Sequence, residues 1–205
     1  MAISVNANLF RAAYISVSTE KTRYYLNGAY IEPHATGKGV IMTATDGHTL
    51  LSAYDEDGDM GGSSPVIVGV NAAMLKACVN RDFNTRLTID GDGTAIVYDV
   101  MGHAEQSHEE SCRQYKAIID GTFPDWRRIV PKPDKEVCSA TFAYAVMDCM
   151  LKAAKALSDS KNPSIRYFGD DPGSAHIVRF GDIEHAFGVA LPVRNPGKLV
   201  LPSWF

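Results

Sequence analysis

Gly121-Thr-Phe-Pro-Asp-Trp-Arg-Arg-Ile-Val-Pro131 divides the chain. Two similar units precede it and a third follows. Each unit reads as a short strand, a helix and three more strands. In the first, Ile3–Val5 is a strand. The helix over residues 8–18, capped by Asn6 or Asn8, carries Phe10, Ala13, Tyr14 and Val17 at helical spacing. Strands follow over residues 23–31, 40–45 and 49–54, with turns at Gly37–Gly39 and Gly47. Residues 55–64 form an acidic, glycine-rich link.

The second unit opens with a strand over residues 65–69. Asn71 caps a short helix reaching about Val79, with Leu75, Cys78 and Val79 inward. Strands are expected over residues 85–90, 94–100 and 103–107, the first two joined by the turn Asp90-Gly-Asp-Gly93. Residues 109–116 are polar and read as an insertion. In the third unit a strand over 137–141 leads to a helix over 144–157, with Val146, Cys149, Met150, Ala153 and Leu157 on one face. Strands over 164–168, 176–180 and 186–191 complete it, and Arg194 ends it. Such repeats imply an α+β fold of three βαβββ modules, with helices on one face of antiparallel sheets.

The composition is that of an ordinary globular protein: 205 residues, 45% hydrophobic and 21% charged. No run is apolar enough for a membrane span and the N-terminus does not read as a signal peptide, so a cytoplasmic location is the expectation. Cys78, Cys112, Cys138 and Cys149 lack CxxC spacing and read as free thiols. A net charge of −4 argues against blanket nucleic-acid coating but leaves room for a local basic surface.

Two further stretches complement the opening one: Arg23-Tyr-Tyr-Leu-Asn-Gly28 and Ala44-Thr-Asp-Gly-His-Thr-Leu50. Together the three resemble the second domain, and its exit linker, of the bacterial sliding clamp, the processivity (beta) subunit of the replicative DNA polymerase. The final module, ending Ala190-Leu-Pro-Val-Arg194, is similar to that family's C-terminal end. The resemblance implies a DNA-clamp fold, sheets outside and helices inside. It divides the chain into a two-module domain over residues 1–131, with linker 117–131, and a half domain over 132–205 with an apolar tail over 195–205. It also implies a shortened form, without the family's usual first domain and the first half of its third.

The family holds polymerases and other partners through short peptides with apolar and aromatic anchors, in a pocket between its second and third domains. Carried over by position, that pocket comprises Leu26; Thr45, Gly47, His48 and Leu50; Pro124, Arg128 and Ile129; and Val189, Leu191, Pro192, Val193 and Arg194. Its mix of apolar walls and a few polar groups suits peptide binding. Two or three buried anchors, less ordering costs, suggest about micromolar affinity. Thr49 departs from the family's usual Arg, which puts partner preference in question. The tail Leu199-Val-Leu-Pro-Ser-Trp-Phe205 loosely resembles such a peptide and is a candidate occupant, or else packs on the sheet.

Clamps encircle duplex DNA and touch its phosphates from the inner helices, contacts that are independent of sequence and sensitive to salt. Candidates here are Arg11, Lys76, Arg81, Lys152 and Lys155, with Lys21, Arg23, Tyr24 and Tyr25 on the loop after the first helix. The resemblance further implies a polymerase and other clamp-motif proteins as partners, a clamp loader, and a homo-oligomer. The competing reading is a non-encircling module that binds clamp-motif peptides and regulates the replication machinery. No cofactor or metal is expected. Asp55-Glu-Asp-Gly-Asp59 fails the calcium-loop pattern, because Met60 and Val66 stand where Gly and Glu are required. His103, His108, Glu109 and Glu110 do not make HExxH, and Asp46 and His48 lack a nucleophile, so a non-catalytic accessory factor is the expectation.

Overall fold

The computed structural model describes residues 2–79, 85–100, 108–130, 140–160 and 162–194. Strand β1 (Ile3–Asn6) alternates buried and half-buried residues and runs into helix α1 (Ala7–Tyr14). Asn6 is the cap: its Oδ1 accepts from the amides of Asn8 and Leu9 at 3.0 and 3.1 Å. The helix ends at Tyr14, four residues before expectation, and Ser18 donates its amide to the Leu26 carbonyl.

The expected strand over residues 23–31 is half turn and half strand. Tyr24–Leu26 forms a 3₁₀ turn, closed by amides of Leu26 and Asn27 on the carbonyls of Arg23 and Tyr24. Strand β2 (Ala29–Pro33) begins only beyond it. Aromatic residues favour strands, but local backbone closure won here. Strands β3 (Val40–Thr45) and β4 (Thr49–Asp55) follow as expected.

In the second unit, β5 (Val66–Val68) leads to α2 (Ala72–Ala77), with Asn71 capping through Met74 N at 2.9 Å. Met74 and Cys78 face inward, whereas Val79 is 54% exposed, against expectation: the helix stops before Val79 can reach the core. Strands β6 (Thr85–Ile89) and β7 (Ala95–Val100) match the reading. The third strand of this unit, β8, is His108–Gln114, in the segment read as an insertion. Among the described residues it is a sheet edge, paired with β7 alone across a register shift at Val97/Tyr98, and its polar sequence suits an edge. Residues 103–107 lie outside the described residues. The linker contributes β9 (Ile118–Ile119) on β5 and a 3₁₀ turn over Trp126–Ile129.

In the third unit, α3 (Tyr144–Leu157), β10 (Ile165–Phe168), β11 (His176–Phe180) and β12 (Ala186–Ala190) agree with the periodicity. Most of the strand expected over 137–141, Arg81 and the tail lie outside the described residues. Cys78, Cys112 and Cys149 are free thiols.

The first two modules exchange their first strands. β1 pairs with β6, and β5 pairs with β2, so one four-stranded sheet runs β1-β6-β7-β8. The other has eight strands, β10-β11-β12-β4-β3-β2-β5-β9, because β12 docks antiparallel on β4 from Ala186↔Ala53 to Ala190↔Thr49. Period-two alternation then sorts side chains to two faces. Leu51, Ala53, Val178, Phe180, Ala186 and Ala190 pack beneath α1 and α3 with Ala12, Val146 and Met150. Leu50, Ile67, Phe187 and Val189 face the opposite side, beneath Leu26, Phe123 and Trp126. A third cluster, including Val5, Phe10, Ile31, Met42, Met74, Leu87 and Val97, joins the first two modules into one core.

Candidate functional site

The turn between β3 and β4 is tightly built. Asp46 Oδ1 accepts from the amides of His48 and Thr49 at 2.8 and 2.7 Å and from Thr49 Oγ1 at 3.1 Å. Thr45 Oγ1 donates to the Thr49 carbonyl at 2.7 Å and accepts from Gly47 N at 3.1 Å. Gly47 has φ +90°, which L residues rarely adopt, and any Cβ there would press on the Arg23 guanidinium. Asp46 is thus engaged in shaping a turn.

Beside this turn runs the exit from β12. Leu191 donates its amide to the His48 carbonyl at 3.3 Å, extending the β4–β12 ladder, and Val193 N donates to the Thr141 carbonyl at 2.7 Å. The linker closes the third side. Phe123 stacks on Tyr30 with centroids 4.9 Å apart, and Trp126 Nε1 donates to Glu32 Oε1 at 2.9 Å. Arg127 pairs with the same carboxylate and lies over the Trp126 ring at 4.4 Å. So anchored, the linker presents Ile129, 54% exposed, to the turn.

Turn, linker and last strand enclose an apolar groove of about 150 Å³ lined by Thr45, Gly47, His48, Thr49, Leu50, Ile129, Ala175, Val189 and Leu191. Seven of the thirteen residues expected from sequence line it. Leu26 is buried, in one cluster with Leu50 and Val189. Pro192 and Val193 line an adjoining cavity that also borders His48, Thr49 and Leu191, while Pro124, Arg128 and Arg194 are exposed beyond these walls. Thr49 and Ala175 are additions. Ala175, in the loop before β11, carries no signal in its own sequence. Thr49 is buried and also meets Ser16 Oγ at 3.0 Å, tying the turn to the end of α1.

The basic candidates fall into two places. Arg11, Lys76, Lys152 and Lys155 are on helices α1, α2 and α3. Arg11 is half-buried with its Nε unpaired, whereas the lysines are exposed; Lys152 contacts Asp148 at 2.6 Å, which raises its pKa. Arg23, Tyr24 and Tyr25 are instead on the groove side: Arg23 lies against Gly47, and Tyr24 and Tyr25 against Gly121, while Lys21 is exposed on the loop after α1. Arg23 grips Glu20 through two bonds of 2.8 Å, which lower the Glu20 pKa. Among the described residues no His, Cys, Asp or Glu cluster could hold a metal, and no helix is long and apolar enough to cross a membrane.

Repeated modules, strand exchange and a groove where the third module's last strand joins the first module's sheet define the sliding-clamp fold. The sliding clamp (DNA polymerase III subunit beta) of Bartonella birtlesii, solved bound to griselimycin, superposes with TM-score 0.60 and 17% identity, over 94% of this chain and 66% of its own. The Pseudomonas aeruginosa clamp gives 0.63 and 16%, over 95% and 66%. In sequence the chain is a relative of the bacterial beta sliding clamps. It is 27% identical to that of Caulobacter vibrioides over 138 residues, 30% to that of Escherichia coli K12 over 133, and 28% to that of Proteus mirabilis over 161. These matches take in 63–77% of this chain but 32–40% of the relatives, so the matched chain spans about a third of their length. No family model matches the sequence.

Proposed function

We propose that this protein is a tethering factor of the sliding-clamp type, holding a polymerase or other partner on duplex DNA. The observation that carries the reading is the groove itself: turn, linker and last strand, far apart in sequence, converge on one apolar trough with a polar rim. A partner peptide seats its apolar and aromatic anchors there. The helix layer, with Arg11, Lys76, Lys152 and Lys155, lies toward the DNA backbone. Residues 1–131 act as a complete clamp domain and 132–205 as a half domain. Several copies, placed on DNA with or without a loader, surround the duplex, and no chemistry is catalysed.

One observation favours a second reading, a peptide-binding module that does not encircle DNA. Among the described residues β8 ends one sheet and β10 ends the other, so neither sheet closes on itself. Retention on nicked circular DNA, with loss on linearisation, is the expected result. Equal loss from both templates together with peptide binding would replace the tether with the second reading, and absence of peptide binding as well would remove both.

A further inference from the structure

We infer that the peptide taken by the groove carries an acidic residue about four positions from its apolar anchor, held by Arg166 and Arg179. The inference rests on the groove's reading as a peptide site and adds the chemistry of its partner.

Arg166 on β10 and Arg179 on β11 are directly opposed in an antiparallel pair, so both guanidiniums leave the same face of the sheet. Like charges so placed destabilise a sheet. Among the described residues neither arginine forms a salt bridge. The two border a cavity of about 510 Å³, which Phe168 and Ile177, opposed in the same ladder, line with apolar surface. Guanidinium forks bind carboxylates through paired N–H donors, so a carboxylate placed here turns a repulsion into two attractions. Asp182 and Glu184, on the β11–β12 turn, border the cavity too. The site therefore takes a short acidic segment rather than a long run of phosphates.

The cavity and the groove meet along β11. Ala175, immediately before the strand, lines the groove, while Ile177 and Arg179 line the cavity. These three alternate with His176, Val178 and Phe180, which are buried, so they follow one another along the face away from α3. Ile177 is also opposed to Val189, another groove residue, and its half-buried side chain is an apolar step between the two sites. From Ala175 to Arg179 is about 14 Å of extended backbone, the span of about four residues of an extended peptide. A peptide anchored against Ala175 and running along β11 thus brings an acidic residue to the arginine pair.

The test uses synthetic peptides with leucine and phenylalanine anchors. Each carries two glutamates or two glutamines, about four positions from the anchors, on one side or the other. Fluorescence anisotropy with the full chain reads binding. In one of the two directions the glutamate peptide should bind roughly fivefold tighter than its glutamine counterpart, an advantage lost at high salt. Arg166→Gln with Arg179→Gln should abolish that advantage and keep the affinity for the glutamine peptide. The melting temperature should stay equal or rise, because the opposed charges are gone. Arg166→Glu with Arg179→Glu should shift the preference to a lysine peptide. Equal affinity for glutamate and glutamine peptides in both directions, or an advantage that survives the arginine changes, would overturn the inference and leave the groove reading intact. Failure of every peptide to bind would remove the groove reading, and this inference with it. Loss of duplex DNA binding in the glutamine variant, without a peptide effect, would assign the arginines to DNA and overturn it as well.

Discussion

Arg86 Nη1 donates to Asp55 Oδ2 at 3.0 Å, and through this pair the second module holds the first. The same carboxylate oxygen accepts the Asn6 amide at 2.7 Å, and Arg86 Nη2 reaches the Ser4 carbonyl at 3.0 Å. β1, β4 and β6 therefore meet at one buried carboxylate. Asp55→Ala leaves Arg86 and the Asn6 amide without that partner, and a loss of about 3 kcal/mol is expected. Urea unfolding checks it; a loss below about 0.5 kcal/mol, the range of surface substitutions, would show that the pair does not hold the modules together.

The third module shares its core with the first, so the two should unfold together. Gly188 on β12 is packed at this junction: a Cβ there would stand 2.9 Å from Met150 Sδ and 3.2 Å from both Leu51 Cδ2 of the first module and Phe180 Cζ. Gly188→Val overpacks this junction and should cost about 2–3 kcal/mol. A single, cooperative thermal transition shifted downward is expected. Separate melting of the third module alone would contradict a shared core.

Ile129 is the groove residue best suited to separating binding from folding, because it is largely exposed. Ile129→Ala should change stability by no more than about 0.5 kcal/mol. Affinity for a peptide with leucine and phenylalanine anchors should fall roughly tenfold, about 1.4 kcal/mol. Fluorescence anisotropy reads the second and a thermal melt the first. Unaltered affinity would move the peptide site away from the linker.

Burial raises the Cys78 thiol pKa from its ordinary 9.0 to about 12. The unfolded chain therefore releases this proton at lower pH than the folded one. The stabilising contribution is complete below the unfolded value and is lost as pH climbs from about 9 to about 12, at up to about 1.4 kcal/mol per unit. Cys78→Ala should flatten the alkaline fall in stability over that window. Identical slopes for the two proteins would show that the thiol does not contribute.

Several elements were legible because their signals are local. The α3 periodicity over Tyr144–Leu157 and the Asn6 and Asn71 caps depend on residues within a few positions of each other. Gly47 marked its turn because the left-handed backbone admits few other residues. Local signals failed where another constraint decided. Tyr24–Leu26 curls instead of extending, and the segment of β8 reads as an insertion because an edge strand needs no apolar face.

By itself, the sequence determined the apolar face of α3 and the glycine turn at Gly47, since side-chain spacing and turn chemistry are properties of short segments. Only the tertiary structure decided that β1 and β5 change places between modules and that β12 lies on β4. Strand pairing is a choice among edges of similar hydrogen-bonding capacity, settled by which apolar faces are buried together. That choice brings Leu191 to His48 and Ala175 to the groove, positions separated by more than a hundred residues of chain, which no local pattern encodes.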